Sequence, residues 1–309
     1  MTKVVFMGTP QFAVPILRSL LREYTILAVV TQSDKPKGRQ QIVTASPVKC
    51  LAIEHDIPVL QPKRLRGSEE LQQIIDLAPD IIITAAYGQI LPDELLAAPA
   101  FGCINVHASL LPKYRGGAPI HHALINGEEK TGITIMYMVS ELDAGDIISQ
   151  ESIAISPRDD VGSLHDKLSL LGANLLRGTL PDILSGKAKA SKQIEEEVTY
   201  AYNISRKDEQ LIWSRTAREL FFQVRGLRPW PVAFTNWRDQ VLKIWSADYY
   251  DARKAGAPGE IIELSDDAVS VATGSGVLQL YEVQPSGKKR MSVADFQRGY
   301  DIRVGETFE

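Results

Sequence analysis

The chain has few cysteines and no long hydrophobic run, and each absence excludes some classes of protein. Only two of the 309 residues are cysteines, Cys50 and Cys103, and neither lies in a C-x-x-C motif or in a Cys/His spacing typical of metal sites. We therefore expect no disulfide and no bound metal, and we expect both thiols to be small buried side chains in a reducing compartment. No apolar run approaches the roughly 18 to 20 residues that cross a bilayer, so no membrane-spanning helix is expected.

The sequence also lacks an excess of charge of one sign. Its 34 basic and 38 acidic residues leave a net charge of -4, which argues against a protein that coats nucleic acid through a globally basic surface. An RNA partner would need local basic patches. The first eight residues are too short and too strand-like for a signal peptide, so we expect a cytoplasmic protein.

The first part of the chain alternates between predicted strands and helices. Apolar runs at 3–8, 25–31, 57–60 and 80–86 are typical of buried strands, and amphipathic or proline-capped helical segments separate them. A long amphipathic helix that covers the sheet is predicted at 161–184. This order predicts an α/β domain with a mostly parallel sheet and right-handed crossovers over residues 1–186. The turn at Gly8 lacks the G-x-G-x-x-G fingerprint, so a dinucleotide site is not expected.

The last third has a different pattern. Residues 187–206 are polar with little periodicity and are predicted to be a linker. Beyond them, a helical pattern at 207–225 precedes short strand candidates at 232–235, 241–247, 259–264, 268–273 and 278–283, and a final helix at 292–298. Several short strands separated by turns predict a small OB-like β-barrel over residues 207–309.

The stretch 101–146 contains the candidate chemistry. A strand is predicted at 102–106. Asn105 near its end and His107 just after it are two residues apart, so their side chains point to the same face. If the next predicted strand, 132–139, lies beside it, Asp143 can reach His107. An amide and a protonated imidazole suit an oxygen that becomes negative during attack on a carbonyl, and a carboxylate can accept the attacking group's proton. Alternatively, the three residues only satisfy buried backbone and cap a turn.

Two loops complete the list of candidate sites. Residues 109–117 contain Pro112 and paired glycines, which exclude regular structure and leave backbone groups free to meet a flat ligand. Residues 33–45 are predicted to be a loop with three basic residues, Lys35, Lys37 and Arg39. Such a charge cluster is either a solvated surface or a nucleic-acid contact.

Several short motifs carry a resemblance to a known family. The elements N-V-H, S-L-L-P, R-G-G-A-P-I and L-D-A-G-D occur in this order, with M-G-T-P-Q-F-A near the start and G-L-R-P-W-P in the last third. In these elements the chain resembles the folate-dependent formyltransferases. The resemblance implies a Rossmann-like formyltransferase domain followed by an OB-like domain that binds tRNA. It further implies transfer of a formyl group from 10-formyltetrahydrofolate to the amino group of methionine on initiator methionyl-tRNA.

The same resemblance implies roles for individual residues. Asn105, His107 and Asp143 are expected to be catalytic, and no covalent intermediate or metal is expected. The folate is expected to lie against Ser109, Leu110, Leu111 and Pro112, with the loop 87–92 as a further wall of the pterin pocket. Within the basic loop, Arg39 is expected to contact the phosphate or terminal bases of the tRNA acceptor end.

Three other functions compete with this expectation. A formyltransferase of the same fold could act on a small amine, such as a sugar nucleotide or glycinamide ribonucleotide, but it would gain little from a barrel or a basic loop. An RNA-binding module with a scaffolding first domain would bind no folate. A hydrolase releasing formate would admit water in place of the amine.

We expect the protein to be a monomer.

Overall fold

The first sheet forms because long apolar runs are buried on both faces. The computed structural model describes residues 1–37, 41–252 and 256–309. Its early strands are β1 (Lys3–Gly8), β2 (Thr25–Val30), β3 (Lys35–Lys37), β4 (Ile42–Thr44), β5 (Val59–Leu60), β6 (Ile81–Ala85), β7 (Cys103–His107), β8 (Lys130–Tyr137) and β9 (Ile147–Ala154). Seven of these form one sheet in the order β5-β2-β1-β6-β7-β8-β9. The first five strands in this order, from β5 across to β7, pair in parallel. The strands β8 and β9 continue the sheet with antiparallel pairings.

Several helices begin at a side-chain cap. The helices are α1 (Ala13–Leu20), α2 (Pro47–Glu54), α3 (Glu69–Asp76), α4 (Asp93–Leu96), α5 (Pro119–Ile125), α6 (Val161–Leu184), α7 (Arg206–Glu209), α8 (Ala217–Leu227) and α9 (Val293–Gly299). Those with a side-chain cap include α2, α3, α8 and α9. The hydroxyl of Ser46 accepts from the Lys49 backbone N–H, and proline follows Ser46 at the first helical position of α2. None of the helices that the structure describes has both the length and the apolar character needed to cross a bilayer.

The chain divides into two units. The first consists of Met1–Pro119, Lys130–Ala154 and His165–Tyr202, and contains the large sheet. The second consists of Ile120–Glu129, Ile155–Leu164 and Asn203–Glu309. The predicted boundaries of a domain 1–186, a linker 187–206 and a domain 207–309 stay a prediction.

The second unit contains an antiparallel, barrel-like sheet. Its strands are β10 (Phe234–Trp237), β11 (Gln240–Tyr250), β12 (Ile261–Leu264), β13 (Val269–Ala272), β14 (Val277–Pro285) and β15 (Met291–Ser292), in the order β10-β11-β14-β13-β12 with β15 beside β14. The α/β fold class with a following small barrel-like domain is therefore confirmed. Apolar side chains from the strands, from α8 and α9 and from the segment before α8 form its core, among them Trp213, Leu220, Trp237, Leu280 and Phe296.

The last residues pair with both edges of this sheet. Glu309 exchanges backbone hydrogen bonds with Asn236 on β10, each 2.9 Å. On the other edge, the Ile261 N–H donates to the Glu306 carbonyl and the Phe308 N–H donates to the Gly259 carbonyl, both at 2.8 Å. Unpaired edge strands are prone to intermolecular pairing. The residues 306–309 thus satisfy backbone groups that would otherwise be open at each edge.

Three predictions of local structure were wrong. Residues 35–37 and 42–44 pair as an antiparallel hairpin inside the predicted loop 33–45. The side chains of Lys35, Pro36 and residues 42–44 are exposed, so no hydrophobic alternation marks the pair. The predicted helix 207–225 is two helices, because residue Leu211 leaves helical geometry to donate to the Phe234 carbonyl at 2.8 Å and Thr216 then caps α8. Cys103 is buried as expected, but Cys50 is exposed.

Candidate active site

Asn105 lies in the middle of the large sheet, and its orientation is set by the neighbouring strand. It pairs with Thr84 on β6 and with Met136 on β8. The buried Thr84 hydroxyl donates to Asn105 Oδ1 at 2.8 Å. An amide whose oxygen accepts in this way must direct its NH₂ group to the other side. The Asn105 Nδ2 atom accordingly lies 3.5 Å from Asp143 Oδ1.

His107 ends β7 and is buried, with a relative exposure of 5%. Its Nε2 atom lies 3.0 Å from the Tyr114 carbonyl oxygen. A carbonyl oxygen only accepts hydrogen bonds, so Nε2 carries the hydrogen and donates it. The other ring nitrogen, Nδ1, lies 3.6 Å from Asp143 Oδ2. The ring therefore presents its Nδ1 edge to the carboxylate.

Asp143 comes from the loop after β8 and completes the cluster. Its Oδ2 atom accepts from the Gly116 backbone N–H at 2.8 Å. The residue has a left-handed backbone with φ of 49°, a conformation that aspartate adopts more readily than most side chains. The structure thus brings Asn105, His107 and Asp143 together at one point, as expected for adjacent strands. Their catalytic roles stay a prediction.

The L-D-A-G-D motif places this loop in close contact with β8. A Cβ atom at Gly145 would lie 1.8 Å from the Tyr137 carbonyl oxygen. The Tyr137 N–H also donates to the Asp146 carbonyl at 3.0 Å. Only glycine allows the backbone to approach so closely. The motif therefore lets the loop that carries Asp143 pack directly on the backbone of β8.

Two polar side chains of the sheet form hydrogen bonds with the backbone of the loop predicted to hold folate, residues 109–112. Thr134 Oγ1 donates to the Ser109 carbonyl at 2.7 Å and accepts from the Leu111 N–H at 3.1 Å. The Gln150 amide donates to the Leu111 carbonyl at 2.8 Å. Both backbone groups of the buried Leu111 are therefore used within the protein, contrary to our expectation that they are free. Leu110 and Pro112 are half-buried, and folate binding by Ser109, Leu110, Leu111 and Pro112 stays a prediction.

The loop 87–92, which was expected to wall the pterin pocket, is anchored rather than free. The Tyr87 carbonyl accepts from the Gln32 amide at 3.0 Å, and the Gln89 amide oxygen accepts from the Leu65 N–H at 2.8 Å. The Tyr87 side chain is buried among apolar neighbours, and this burial raises the pKa of Tyr87 above its ordinary value. Ile90 is the exposed apolar side chain of this loop.

An extended segment at residues 199–201 lies beside the loop that contains Gly116, and it was not predicted from the sequence. The Arg115 N–H donates to the Thr199 carbonyl at 2.9 Å, and the Ala201 N–H donates to the Arg115 carbonyl at 2.7 Å. A Cβ atom at Gly116 would lie 2.7 Å from the Ala201 carbonyl oxygen. The R-G-G element therefore packs against residues 199–201, which lie in the segment predicted to be a linker. Its glycines were a signal for this close approach.

Arg115 is a buried cation within the same region, with a relative exposure of 3%. Its Nε–H donates to Gln193 Oε1 and its Nη2–H donates to Glu195 Oε1, both at 2.9 Å. A buried guanidinium needs such acceptors to offset its lost hydration. Both acceptors come from residues 187–206. This segment was predicted to be a linker because it shows little periodicity.

Two further sequence predictions concern tRNA and metal. Arg39, the residue predicted to contact tRNA, lies outside the described residues. Across the described ranges, His, Cys, Asp and Glu side chains do not gather in groups of three or more that could hold a metal ion.

The mostly parallel sheet, with the Asn-His-Asp cluster at the end of β7, and the barrel-like second unit define a protein with an α/β first unit. The chain belongs to the formyl transferase family: the family model described as "Formyl transferase" matches residues 2–180, and that described as "Formyl transferase, C-terminal domain" matches residues 203–301. Among curated relatives, the methionyl-tRNA formyltransferase of Bacillus subtilis (strain 168) is 53% identical over 308 residues, covering 99% of this chain and 97% of that protein. The methionyl-tRNA formyltransferase of Lysinibacillus sphaericus (strain C3-41) is 54% identical over 313 residues, covering the whole of both chains.

Solved structures share the fold at low identity. WlaRD, a sugar 3N-formyl transferase crystallised with dTDP and 5-N-formyl-THF, superposes with a TM-score of 0.66 at 19% identity, covering 94% of this chain and 99% of that one. HypX from Aquifex aeolicus in complex with tetrahydrofolic acid superposes with a TM-score of 0.61 at 16% identity, covering 98% of this chain and 48% of that one. The family's fold therefore extends over nearly all of the chain.

Proposed function

We propose that the chain transfers the formyl group of 10-formyltetrahydrofolate to the amino group of methionine on initiator methionyl-tRNA. The observation that carries this proposal is the Asn-His-Asp cluster, in which the Asp143 carboxylate lies 3.5 Å from the Asn105 amide nitrogen and 3.6 Å from His107 Nδ1. Membership of the formyl transferase family supports the reaction, and the full-length relatives named methionyl-tRNA formyltransferase support the acceptor.

The chemistry follows from what each group can donate or accept. When an amine attacks a formyl carbon, negative charge develops on the formyl oxygen and must be met by donors already in place. The Asn105 NH₂ group is one such donor, because Thr84 holds its oxygen on the opposite side. His107 supplies a second when its Nδ1 is protonated. Losing one donor of this kind costs about a hundredfold or more in rate.

Asp143 has a separate role in this proposal. The attacking amine is an ammonium ion in water near neutral pH and must lose a proton before or during attack. We assign this proton to the Asp143 carboxylate, directly or through a water molecule. When the tetrahedral intermediate collapses, the bond between the formyl carbon and N10 of the folate breaks, N10 takes up one proton, and tetrahydrofolate leaves, while the second proton lost by the amine passes to solvent. The Gly116 N–H bond to Oδ2 holds the carboxylate in place while it acts.

The remaining assignments extend the proposal to binding. The loop Ser109 to Pro112 holds the folate, Arg39 contacts the acceptor end of the tRNA, and the barrel-like unit binds tRNA. The chain is proposed to act as a monomer in the cytoplasm, where charged initiator tRNA and reduced folate are available, without a metal ion.

The test is to incubate the purified protein with 10-formyltetrahydrofolate labelled in the formyl group and a pool of charged tRNAs. Label is expected on methionine attached to initiator tRNA, and uncharged tRNA is the control. Transfer to a sugar nucleotide or to glycinamide ribonucleotide in place of tRNA would assign a small-amine acceptor. Release of label as formate without any acceptor would assign a hydrolase. Absence of folate binding by calorimetry would leave only the RNA-binding module.

A further inference from the structure

We propose that Gln193 is a positioning residue for Asp143, so that the segment between the two family-matched regions completes the active site. Those regions end at residue 180 and begin at residue 203, and Gln193 lies between them. The inference rests on the proposed function for its kinetic readout. It does not rest on it for its structural readout.

The Gln193 side chain forms hydrogen bonds with all of its polar hydrogens. Its Nε2 atom donates to the Asp143 carbonyl at 2.7 Å and to the Gly145 carbonyl at 2.8 Å. Its Oε1 atom accepts from Arg115 Nε at 2.9 Å. Because a guanidinium only donates, Arg115 determines which end of the amide is oxygen. Both amide hydrogens are thereby directed to the loop that bears Asp143.

The Gln193 contacts matter because they hold the backbone of the loop that carries the Asp143 carboxylate. Asp143 has a left-handed backbone, and such conformations persist only where the surroundings hold them. Gln193 binds the carbonyls on both sides of Ala144, so it fixes the direction in which the Asp143 side chain leaves the loop. Without these two bonds, the loop gains freedom to rotate the carboxylate away from Asn105 and His107.

Arg115 anchors Gln193 in turn. Arg115 is buried and is also held by Glu195, two residues after Gln193. Arg115 precedes Gly116, whose N–H binds the same Asp143 carboxylate. A single chain of contacts therefore runs from the backbone of Gly116, through Asp143 and Gln193, back to Arg115. It closes around the catalytic carboxylate.

The kinetic test is a double-mutant cycle between Gln193→Met and Asp143→Asn. Methionine keeps the length of glutamine but removes both donors and the oxygen that accepts from Arg115 Nε. In the otherwise wild-type protein, Gln193→Met is expected to lower kcat by roughly a hundredfold, the cost of misplacing a catalytic group by about 1 Å. The KM for charged tRNA should change little. In the Asp143→Asn background, the same substitution should lower kcat by less than about twofold, since the group it positions is already disabled.

The matched control is Gln72→Met, at an exposed glutamine on α3 whose amide donates to Asp76 Oδ1 at 2.8 Å. It should retain the wild-type rate. Equal losses of kcat in both backgrounds would show that Gln193 acts independently of Asp143, and a wild-type rate for Gln193→Met would show that it does not act at all. Either result overturns the proposal.

A structural readout needs no substrate and separates this inference from the proposed function. The Gly116 N–H is protected from hydrogen exchange by Asp143 Oδ2. In Gln193→Met this amide is expected to exchange at least about tenfold faster, because its acceptor moves, while amides in β7 keep their wild-type rates. Unchanged protection at Gly116 would overturn the inference. If the wild-type protein formylates no tRNA, the proposed function fails, and the exchange rates alone decide the role of Gln193.

Discussion

The hydroxyl of Thr84 provides a sharp test of how the proposed donor at Asn105 is oriented. Valine has nearly the shape of threonine, so Thr84→Val removes the hydrogen bond to Asn105 Oδ1 at 2.8 Å with little change in volume. This bond is partly shielded from water, because Thr84 is buried and Asn105 is half-buried, and an amide oxygen left there without a donor costs about 1 to 3 kcal/mol. Asn105 can avoid this cost only by rotating its amide, which turns the NH₂ group away from Asp143. We therefore expect a loss of about 1 to 3 kcal/mol in the free energy of unfolding.

The effect on catalysis should be larger than the effect on folding. Removing one donor to a developing oxyanion costs about 10²-fold in rate, so Thr84→Val should lower the single-turnover rate of formyl transfer by about that factor. Thr84→Ser, which keeps the hydroxyl, should restore most of the rate. Thr179→Val is the matched control, since that hydroxyl bonds Ser149 and the Leu175 carbonyl rather than a site residue. A rate within about twofold of wild type for Thr84→Val would refute the proposed orientation of Asn105.

Three further predictions concern the loop of Asp143, the thiols and the response to pH. Gly145→Ala should lower the free energy of unfolding by about 1 to 3 kcal/mol and reduce formyl transfer, because its Cβ would lie 1.8 Å from a backbone oxygen of β8; urea denaturation that shows wild-type stability contradicts this. A thiol reagent should modify Cys50 in the native protein and Cys103 only after unfolding, since burial raises the pKa of Cys103 to about 12; mass spectrometry showing both thiols labelled in the native state contradicts this. The Thr216 side chain and backbone N–H lower the pKa of Glu219, so its stabilisation of α8 is present above the unfolded pKa and is lost as pH falls through the lower folded pKa. Glu219→Gln should therefore reduce the loss of stability on acidification, and an unchanged acid limb would argue against it.

The sheet strands and the long helix were the most predictable parts of the fold. The strand β1 (Lys3–Gly8) and the helix α6 (Val161–Leu184) have the bounds predicted from their apolar patterns. Both elements bury long stretches, and a buried stretch leaves a strong local pattern in the sequence. The β3–β4 hairpin has an exposed surface and left no such pattern. The helix α8 was predicted too long, although Thr216 and Glu219 already form a recognisable capping box.

The candidate site was predictable where its residues lie in compact motifs. Asn105 and His107 share a strand face, and Asp143 follows the neighbouring strand, so their meeting point follows from strand adjacency. Gln193 could not be found in the same way. It contacts Asp143 across 50 residues of sequence, from a polar segment without periodicity, and no local pattern encodes a contact of that range.

The side chains that hold the loop predicted to bind folate could not be identified from the sequence for a related reason. Thr134 and Gln150 lie on β8 and β9 and resemble ordinary polar strand residues. Their role depends on the loop that the fold brings above them. The backbone of Leu111 therefore looked free in the sequence, whereas the structure shows both of its polar groups bonded.

The most direct test of the account is the single-turnover rate of formyl transfer to charged initiator tRNA by His107→Ala and Asp143→Ala, with the native fold of each verified by circular dichroism and thermal unfolding. If the cluster at the end of β7 performs the chemistry, each variant should lose at least about a hundredfold in rate while remaining folded. A rate near that of the wild-type protein in either folded variant would contradict the account.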